Sequence, residues 1–230
     1  MQTSDITATL NTRFGLEAFR PGQAEAIQNL LAGQHTLVVM PTGSGKSLIY
    51  QLATLHRPGL AVVISPLIAL MQDQVASLTH RDIPATYINS TLSTGEQNRR
   101  LRAMAAGDFQ LVYVAPERLR NVPFQQVLHQ VKVGLLAVDE AHCISQWGHD
   151  FRPDYRHIAE IRPLMGDPVT VALTATATPL VQDDIVQALD FTSMQRIVTG
   201  FNRPNLFFFC PPHGRTAAKL SALRDLRCDT

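Results

Sequence analysis

The sequence predicts an α/β fold: a doubly wound, mostly parallel sheet flanked by helices. Three observations predict it. Apolar runs suited to strands alternate with stretches at helical spacing along the 230 residues. Several runs are apolar without interruption, as in Leu135-Leu-Ala-Val138, which is how a strand buried on both faces reads. Two chemically suggestive segments, Pro41–Ser47 and Asp139-Glu140, each follow such a run, and ligands of open α/β sheets sit at the carboxyl ends of the strands.

The strand-like runs are 35–40, 60–64, 85–88, 109–114, 133–138, 169–173 and 195–198. Helical spacing covers roughly 22–32, 46–55, 67–79, 93–106, 153–162 and 179–189. Phe201-Asn-Arg-Pro-Asn205 carries turn chemistry and marks a domain boundary. Beyond it, Leu206–Cys210 starts another apolar strand, and Ala217–Leu226 has helical spacing. The expected division is one lobe over 1–200, followed by a linker and the incomplete start of a second unit over 201–230.

The segment PTGSGKS, Pro41–Ser47, joins the first strand to the next helix. Gly43 and Gly45 permit a tight turn whose N–H groups point inward, and the helix N-terminus adds partial positive charge. Lys46 can reach the β- and γ-phosphates of a nucleotide, and the Ser47 hydroxyl can ligate Mg²⁺. The strict phosphate-loop pattern needs Gly at position 40, where this chain has Met40. The Gly-x-Gly-Lys-Ser core therefore needs a second site to support it. Val133–Val138 supplies one by ending in Asp139-Glu140-Ala141-His142. Asp139 is placed to hold Mg²⁺ through water, and Glu140 to orient or deprotonate an attacking water. Lys46, Asp139 and Glu140 are the expected catalytic residues.

Composition bounds the partners. Lys plus Arg number 20 against 19 for Asp plus Glu, so the net charge of +1 gives no argument for nucleic acid. Arg99, Arg100 and Arg102 lie on a polar helix pattern, which a solvated face explains. No apolar run approaches a membrane span, and the N-terminal residues lack the apolar stretch of a signal peptide, so no secretion signal is expected. Three scattered cysteines suggest reduced thiols rather than a disulfide framework. His142, Cys143 and His149 match no common zinc spacing.

The ordered motifs resemble the first motor lobe of RecQ-family DNA helicases, within helicase superfamily 2. The resemblance rests on Leu10-x3-Phe14-Gly15-x3-Phe19-Arg20-x2-Gln23-x2-Ala26-Ile27, PTGSGKS, ISPLIALMQDQ at 64–74 and YVAPERL at 113–119. DEAHCISQWGHDFRP at 139–153, LTATAT at 173–178 and FNRPN at 201–205 complete it. The stretch at 139–153 discriminates most, because generic superfamily 2 helicases lack the aromatic loop after Asp-Glu-Ala-His. The resemblance implies a RecA-like phosphate-loop NTPase domain.

It also implies roles. Thr42, Gly43, Ser44, Gly45, Lys46 and Ser47 would cradle ATP–Mg²⁺, Gln23 would read the adenine edge, and Arg20 would stack on the base opposite Leu16. Some relatives carry an aromatic residue where this chain has Leu16. Gln146, Trp147, His149, Phe151 and Arg152 would couple DNA binding to hydrolysis, with Trp147 and Phe151 as stacking platforms. Ser65, at a helix start, and Arg118 would meet DNA phosphates. Thr174 and Thr176 would link the nucleotide and DNA sites through hydroxyl hydrogen bonds; the bland reading is a strand end followed by a helix cap at Thr178-Pro179.

Helicases of this family need a second motor lobe, which supplies an arginine finger worth about 10³–10⁵ in rate. The expectation is a parent protein that unwinds DNA 3′ to 5′ with ATP in repair or recombination, at the bacterial nucleoid or in a nucleus. The chain alone is expected to bind nucleotide but not unwind. A stand-alone, non-catalytic nucleotide- or DNA-binding module and an RNA-acting relative are the alternatives.

Overall fold

The computed structural model describes residues 3–148 and 150–200. Among these residues are seven strands: β1 (Thr36–Val39), β2 (Leu60–Ile64), β3 (Ala85–Ile88), β4 (Leu111–Val114), β5 (Val133–Val138), β6 (Val169–Thr174) and β7 (Gln195–Val198). They form one sheet in the order β3-β4-β2-β5-β6-β1-β7, and every paired neighbour is parallel. The helices are α1 (Thr3–Phe14), α2 (Gln23–Leu31), α3 (Lys46–Leu55), α4 (Ile68–Thr79), α5 (Thr94–Ala106), α6 (Val122–Gln130), α7 (His157–Ile161) and α8 (Pro179–Ala188).

The continuous apolar runs are explained by burial on both faces. Side chains alternate across the sheet. Val38 points into a layer with Ile6, Ile27, Leu30, Leu52 and Met71, from α1 to α4. Leu37 and Val39 point the other way, to Leu101, Phe124, Leu128, Ile158 and Ile185, from α5 to α8. Each helix set closes one face, giving the expected doubly wound architecture.

Two helices escaped the sequence reading. Helix α1 buries only Ile6 and Leu10 fully, and its Thr-rich sequence gives weak periodicity. Helix α6 contains Pro123, which reads as a breaker but is tolerated in the first turn, where its missing N–H costs nothing. Asn121 caps it, its Oδ1 accepting the Phe124 N–H at 3.1 Å, and Phe124 and Leu128 bury one face. The expected helix at 153–162 is instead a 3₁₀ turn, Pro153–Arg156, followed by the short α7. The basic cluster on α5 is largely an ion-pair surface. Arg99 and Arg100 both reach Glu96 at 2.6 Å, and Arg100 lies over the Tyr87 ring at 4.2 Å. The expected strand and helix within 201–230 lie outside the described residues.

Register brings the carboxyl ends of the central strands level. Val39 pairs with Thr174, and Ile64 with Val138. The hydrogen bonds continue past the strands, from Met40 N–H to Thr174 O at 3.1 Å and from Asp139 N–H to Ile64 O at 2.8 Å. The loop after β1, the segment after β5 and the end of β6 are thereby held along one edge of the sheet. Among the described residues, no helix is long and apolar enough to cross a membrane.

Candidate nucleotide and nucleic-acid site

The turn after β1 has the geometry its glycines suggest. Gly43 and Gly45 have φ of +80° and +78°, a left-handed conformation that side chains with a Cβ adopt at a cost. Gly45 is the residue immediately before α3, so the first free N–H groups of α3 face the loop. Met40, which breaks the strict pattern, is a fully buried core residue. A Cβ on Gly22 would come within 2.5 Å of its terminal methyl. The turn leading into α2 therefore rests on Met40.

Lys46 Nζ donates to Met40 O at 3.0 Å and Pro41 O at 3.3 Å. Burial lowers its pKa, while the charges of Glu140 and Asp139 oppose that shift. The ammonium thus satisfies itself on carbonyls of its own loop. Ser44 Oγ is buried with no hydrogen-bond partner among the described residues. Ser47 is half-buried, and the side chain of the buried Tyr50 hydrogen-bonds to it.

Gln23 corrects the picture of an open base reader. It is 2% exposed. Its Nε2 donates to Ser44 O at 2.9 Å and Gly45 O at 3.0 Å, and its Oε1 accepts the Arg20 N–H at 2.9 Å. The amide fastens the turn before α2 to the glycine-rich loop, so both N–H donors are already engaged. Arg20 is exposed, and its guanidinium donates to Gly43 O. Leu16 is exposed at 44%.

Asp139 and Glu140 follow β5 directly. Burial, followed by the neighbouring Glu140 charge, pushes Asp139 up to about 6; the Glu140 N–H, at 3.0 Å from its Oδ1, and Lys46 pull the other way. Glu140 is held at φ +48°, unusual for a residue with a side chain. The buried Tyr155 hydroxyl donates to Asp139 O at 2.9 Å and pins this turn. His142 is buried, with Nδ1 2.9 Å from Thr174 Oγ1 and 3.3 Å from Glu140 Oε2. Thr174 Oγ1 in turn donates to Thr176 O at 3.1 Å. The strand end after β5 and the end of β6 are thus wired together through one imidazole. The cap at Thr178 is also present, its hydroxyl accepting the Val181 N–H at 3.4 Å, so the two readings of this segment coexist.

The loop after His142 leaves its tryptophan outside. Trp147 is 71% exposed, which rules out a core role. Ser145 beneath it is buried, and its Oγ accepts the Trp147 N–H at 3.1 Å. A Cβ on Gly148 would meet His142 O at 2.4 Å, so the chain folds back closely here. Gln146 is exposed, and Phe151 is half-buried with the Arg156 guanidinium 5.1 Å from its ring centre. Arg152 pairs with Asp150 at 3.0 Å. His149 lies outside the described residues.

Two further sequence candidates differ from expectation. The Ser65 N–H is spent on Val114 O at 3.1 Å, and its side chain is buried, so it offers no free backbone donor. Pro66 has no N–H, which leaves the α4 N-terminus from Leu67 onward for any anion. Arg118 is half-buried in the 3₁₀ turn Pro116–Arg120, and its buried Nε has no partner among the described residues.

A cleft of about 350 Å³ opens between some of these segments. Thr42 from the glycine-rich loop, Glu140 and His142, Asp150 and Arg152 from the exposed loop, and Thr176 all line it, with Pro66 and Leu67. Sequence reasoning missed Tyr155, Met40 and Asp150 as site residues. The only signal for Tyr155 was its place two residues beyond the Phe-Arg-Pro stretch.

Comparison with known proteins agrees. The DEAD/DEAH box helicase family matches residues 20–184. The ATP-dependent DNA helicase RecQ of Bacillus subtilis is 51% identical over 197 residues, 85% of this chain and 33% of the relative. RecQ of Haemophilus influenzae is 43% identical over 199 residues, 86% of this chain and 32% of the relative. The chain thus spans about a third of the length of these relatives. The crystal structure of a hypothetical ATP-dependent RNA helicase from Sulfolobus tokodaii aligns with TM-score 0.65 at 19% identity, over 85% of this chain and 57% of that one. That likeness shows the fold, a RecA-like helicase lobe. With Thr42 of its glycine-rich loop, Glu140 and His142 of its Asp-Glu-Ala-His turn, and Asp150 and Arg152 beyond Trp147 on one cleft, the chain belongs to the DEAD/DEAH box helicase family.

Proposed function

We propose that this chain is the ATP-binding motor lobe of a RecQ-like helicase that couples ATP hydrolysis to 3′–5′ unwinding of DNA, in repair or recombination, wherever the chromosome resides. The observation that carries the reading is the shared cleft. A residue of the glycine-rich loop, the pair Glu140–His142 and Arg152 of the exposed loop face one space, so events at a phosphate and at a DNA strand can act on each other. DNA rather than RNA is favoured by the names of the RecQ relatives.

The residues present fit ATP–Mg²⁺. Lys46 rests on loop carbonyls, Ser44 Oγ is buried without a partner among the described residues, and burial and the Glu140 charge raise the pKa of Asp139, a shift that a bound cation would oppose. Lys46 would leave Met40 O and Pro41 O for phosphate oxygens. Ser47 and Asp139 would hold Mg²⁺, which supplies charge neutralisation at the phosphates. Glu140 would take the proton of the attacking water. Arg20 and Leu16 would flank the base, and Gln23 would read its edge only after giving up a bond to the loop. Trp147 would stack a single-stranded base, with Gln146, Phe151 and Arg152 beside it. The α4 N-terminus after Ser65 and Arg118 would meet phosphates. His142, Thr174 and Thr176 would carry the coupling.

Efficient turnover needs a second lobe with an arginine finger, so the isolated chain would bind nucleotide and turn it over slowly, without unwinding. The test is ATP hydrolysis with single-stranded DNA, with RNA and with neither, for this chain and for the chain joined to a second motor lobe. DNA stimulation only in the two-lobed protein supports the reading. DNA-stimulated turnover by the short chain, or stimulation by RNA alone, contradicts it.

A further inference from the structure

Cys143 takes no part in the chemistry above, yet its surroundings are specific. Its sulfur lies 3.8 Å from His142 Nε2 and 3.8 Å from Asp150 Oδ2. Ligand atoms of all three residues fall within 4.8 Å of one another. Around a tetrahedral cation with bonds of about 2.0–2.3 Å, neighbouring ligand atoms stand roughly 3.3–3.8 Å apart. Two of the three edges already have that length. The third, between His142 and Asp150, closes by rotation of a carboxylate that is 48% exposed.

The imidazole is also presented in the right form. Thr174 Oγ1 gives its proton to Thr176 O, so toward His142 it accepts. Glu140 Oε2, 3.3 Å from Nδ1, is a second oxygen acceptor. Both acceptors favour the hydrogen on Nδ1, and Nε2 faces the Cys143 sulfur. An imidazole whose far N–H is held by a hydroxyl and a carboxylate is the outer arrangement that orients histidine ligands on metals. The spacing in the chain gave no sign of this trio. The pattern His142, Cys143, His149 resembles no zinc motif, and it is the close return of the chain at Gly148 that brings Asp150 to the pair.

We propose that His142, Cys143 and Asp150 form a three-ligand site for a soft divalent cation of the Zn²⁺ class, with water in the fourth position. The thiolate and imidazole select against Mg²⁺, a hard ion that takes oxygen ligands. On binding, the Cys143 S–H bond breaks, its proton leaves to solvent, and a sulfur–metal bond forms. Asp150 turns from Arg152 to the ion. The exposed loop bearing Trp147 is then tied to the turn bearing Glu140, which makes the cation a clamp on the coupling segment.

The probe is Co²⁺ alone, titrated into the metal-free 230-residue chain without thiol reductant. One equivalent should produce a sulfur-to-cobalt charge-transfer band and the intense visible bands of four-coordinate cobalt. Both should vanish in Cys143→Ser and persist when Cys210 and Cys228 are both changed to Ser. Asp150→Asn, on an exposed loop, should weaken binding at least about tenfold, the scale on which lost partners of a metal site act. No band with excess Co²⁺, a band that survives Cys143→Ser, or unchanged affinity in Asp150→Asn would overturn the site. The readout involves neither nucleotide nor DNA, so its failure leaves the proposed function standing.

Discussion

His142 Nδ1 and Thr174 Oγ1, 32 residues apart in sequence, lie 2.9 Å apart in the fold. Both are buried, and their contact links the turn after β5 to the end of β6. Thr174→Val keeps the shape and removes the hydroxyl, so the imidazole loses its contact with Thr174 Oγ1. The expected cost is about 1–2 kcal/mol in urea unfolding, the range for a buried group losing a partner. In a two-lobed protein the same change should lower DNA-stimulated ATP turnover far more than DNA-free turnover. Equal loss of both would show a purely structural bond.

Gln23 provides a sharper test of local chemistry. Its amide donates twice to carbonyls of the glycine-rich loop. Gln23→Ala should destabilise the chain by about 1–3 kcal/mol and weaken nucleotide binding. Gln23→Glu keeps the size but sets carboxylate oxygen against Ser44 O and Gly45 O. It should be the more damaging variant by urea unfolding, although it is closer in shape. If Gln23→Glu is the milder of the two, the amide does not hold the loop.

Asp139 makes stability depend on pH. Its pKa is raised from 3.8 to about 6, so the folded protein binds this proton more tightly than the unfolded chain does. The ionised carboxylate therefore costs stability, fully above about pH 6 and less as pH falls from 6 toward 4. Asp139→Asn should stabilise the chain by about 1–3 kcal/mol at pH 8, and the gain should disappear below about pH 4. Nucleotide hydrolysis in a two-lobed protein should be lost at the same time. An Asn variant no more stable than the parent at pH 8 would contradict the buried-charge account.

Trp147 separates function from stability. At 71% exposure, Trp147→Ala should change unfolding free energy by no more than about 0.5 kcal/mol. Because it is the only tryptophan, its fluorescence reports this loop alone. Single-stranded DNA should quench it as bases stack on the ring. An emission indifferent to DNA would remove Trp147 from the nucleic-acid track.

Much of this was legible in the chain. The inner strands β1, β2, β4, β5 and β6 were visible because burial on both faces leaves near-continuous apolar runs, whereas the edge strands β3 and β7 are only partly buried. The glycine-rich loop and Asp139-Glu140 were visible because each follows such a run. What escaped depends on contacts across space. Nothing near Gln23 in sequence says that its donors reach Ser44 and Gly45. Ser65 suggested a helix-start anion site, but parallel pairing with β4 claims its N–H. Met40 read as a defect in a motif and proves to be the core residue under Gly22. Asp150 joined His142 and Cys143 only through the return of the chain at Gly148. Helix α6 was hidden by Pro123, whose effect depends on its position within the helix.

The central claim is that one cleft couples a nucleotide to a DNA strand. The most direct measurement is ATP turnover by this lobe joined to a second motor lobe, with and without single-stranded DNA, in the parent and in Trp147→Ala. The account predicts strong DNA stimulation in the parent, and DNA-free turnover unchanged but unstimulated in the variant. Equal stimulation of both proteins, or none in the parent, would contradict it.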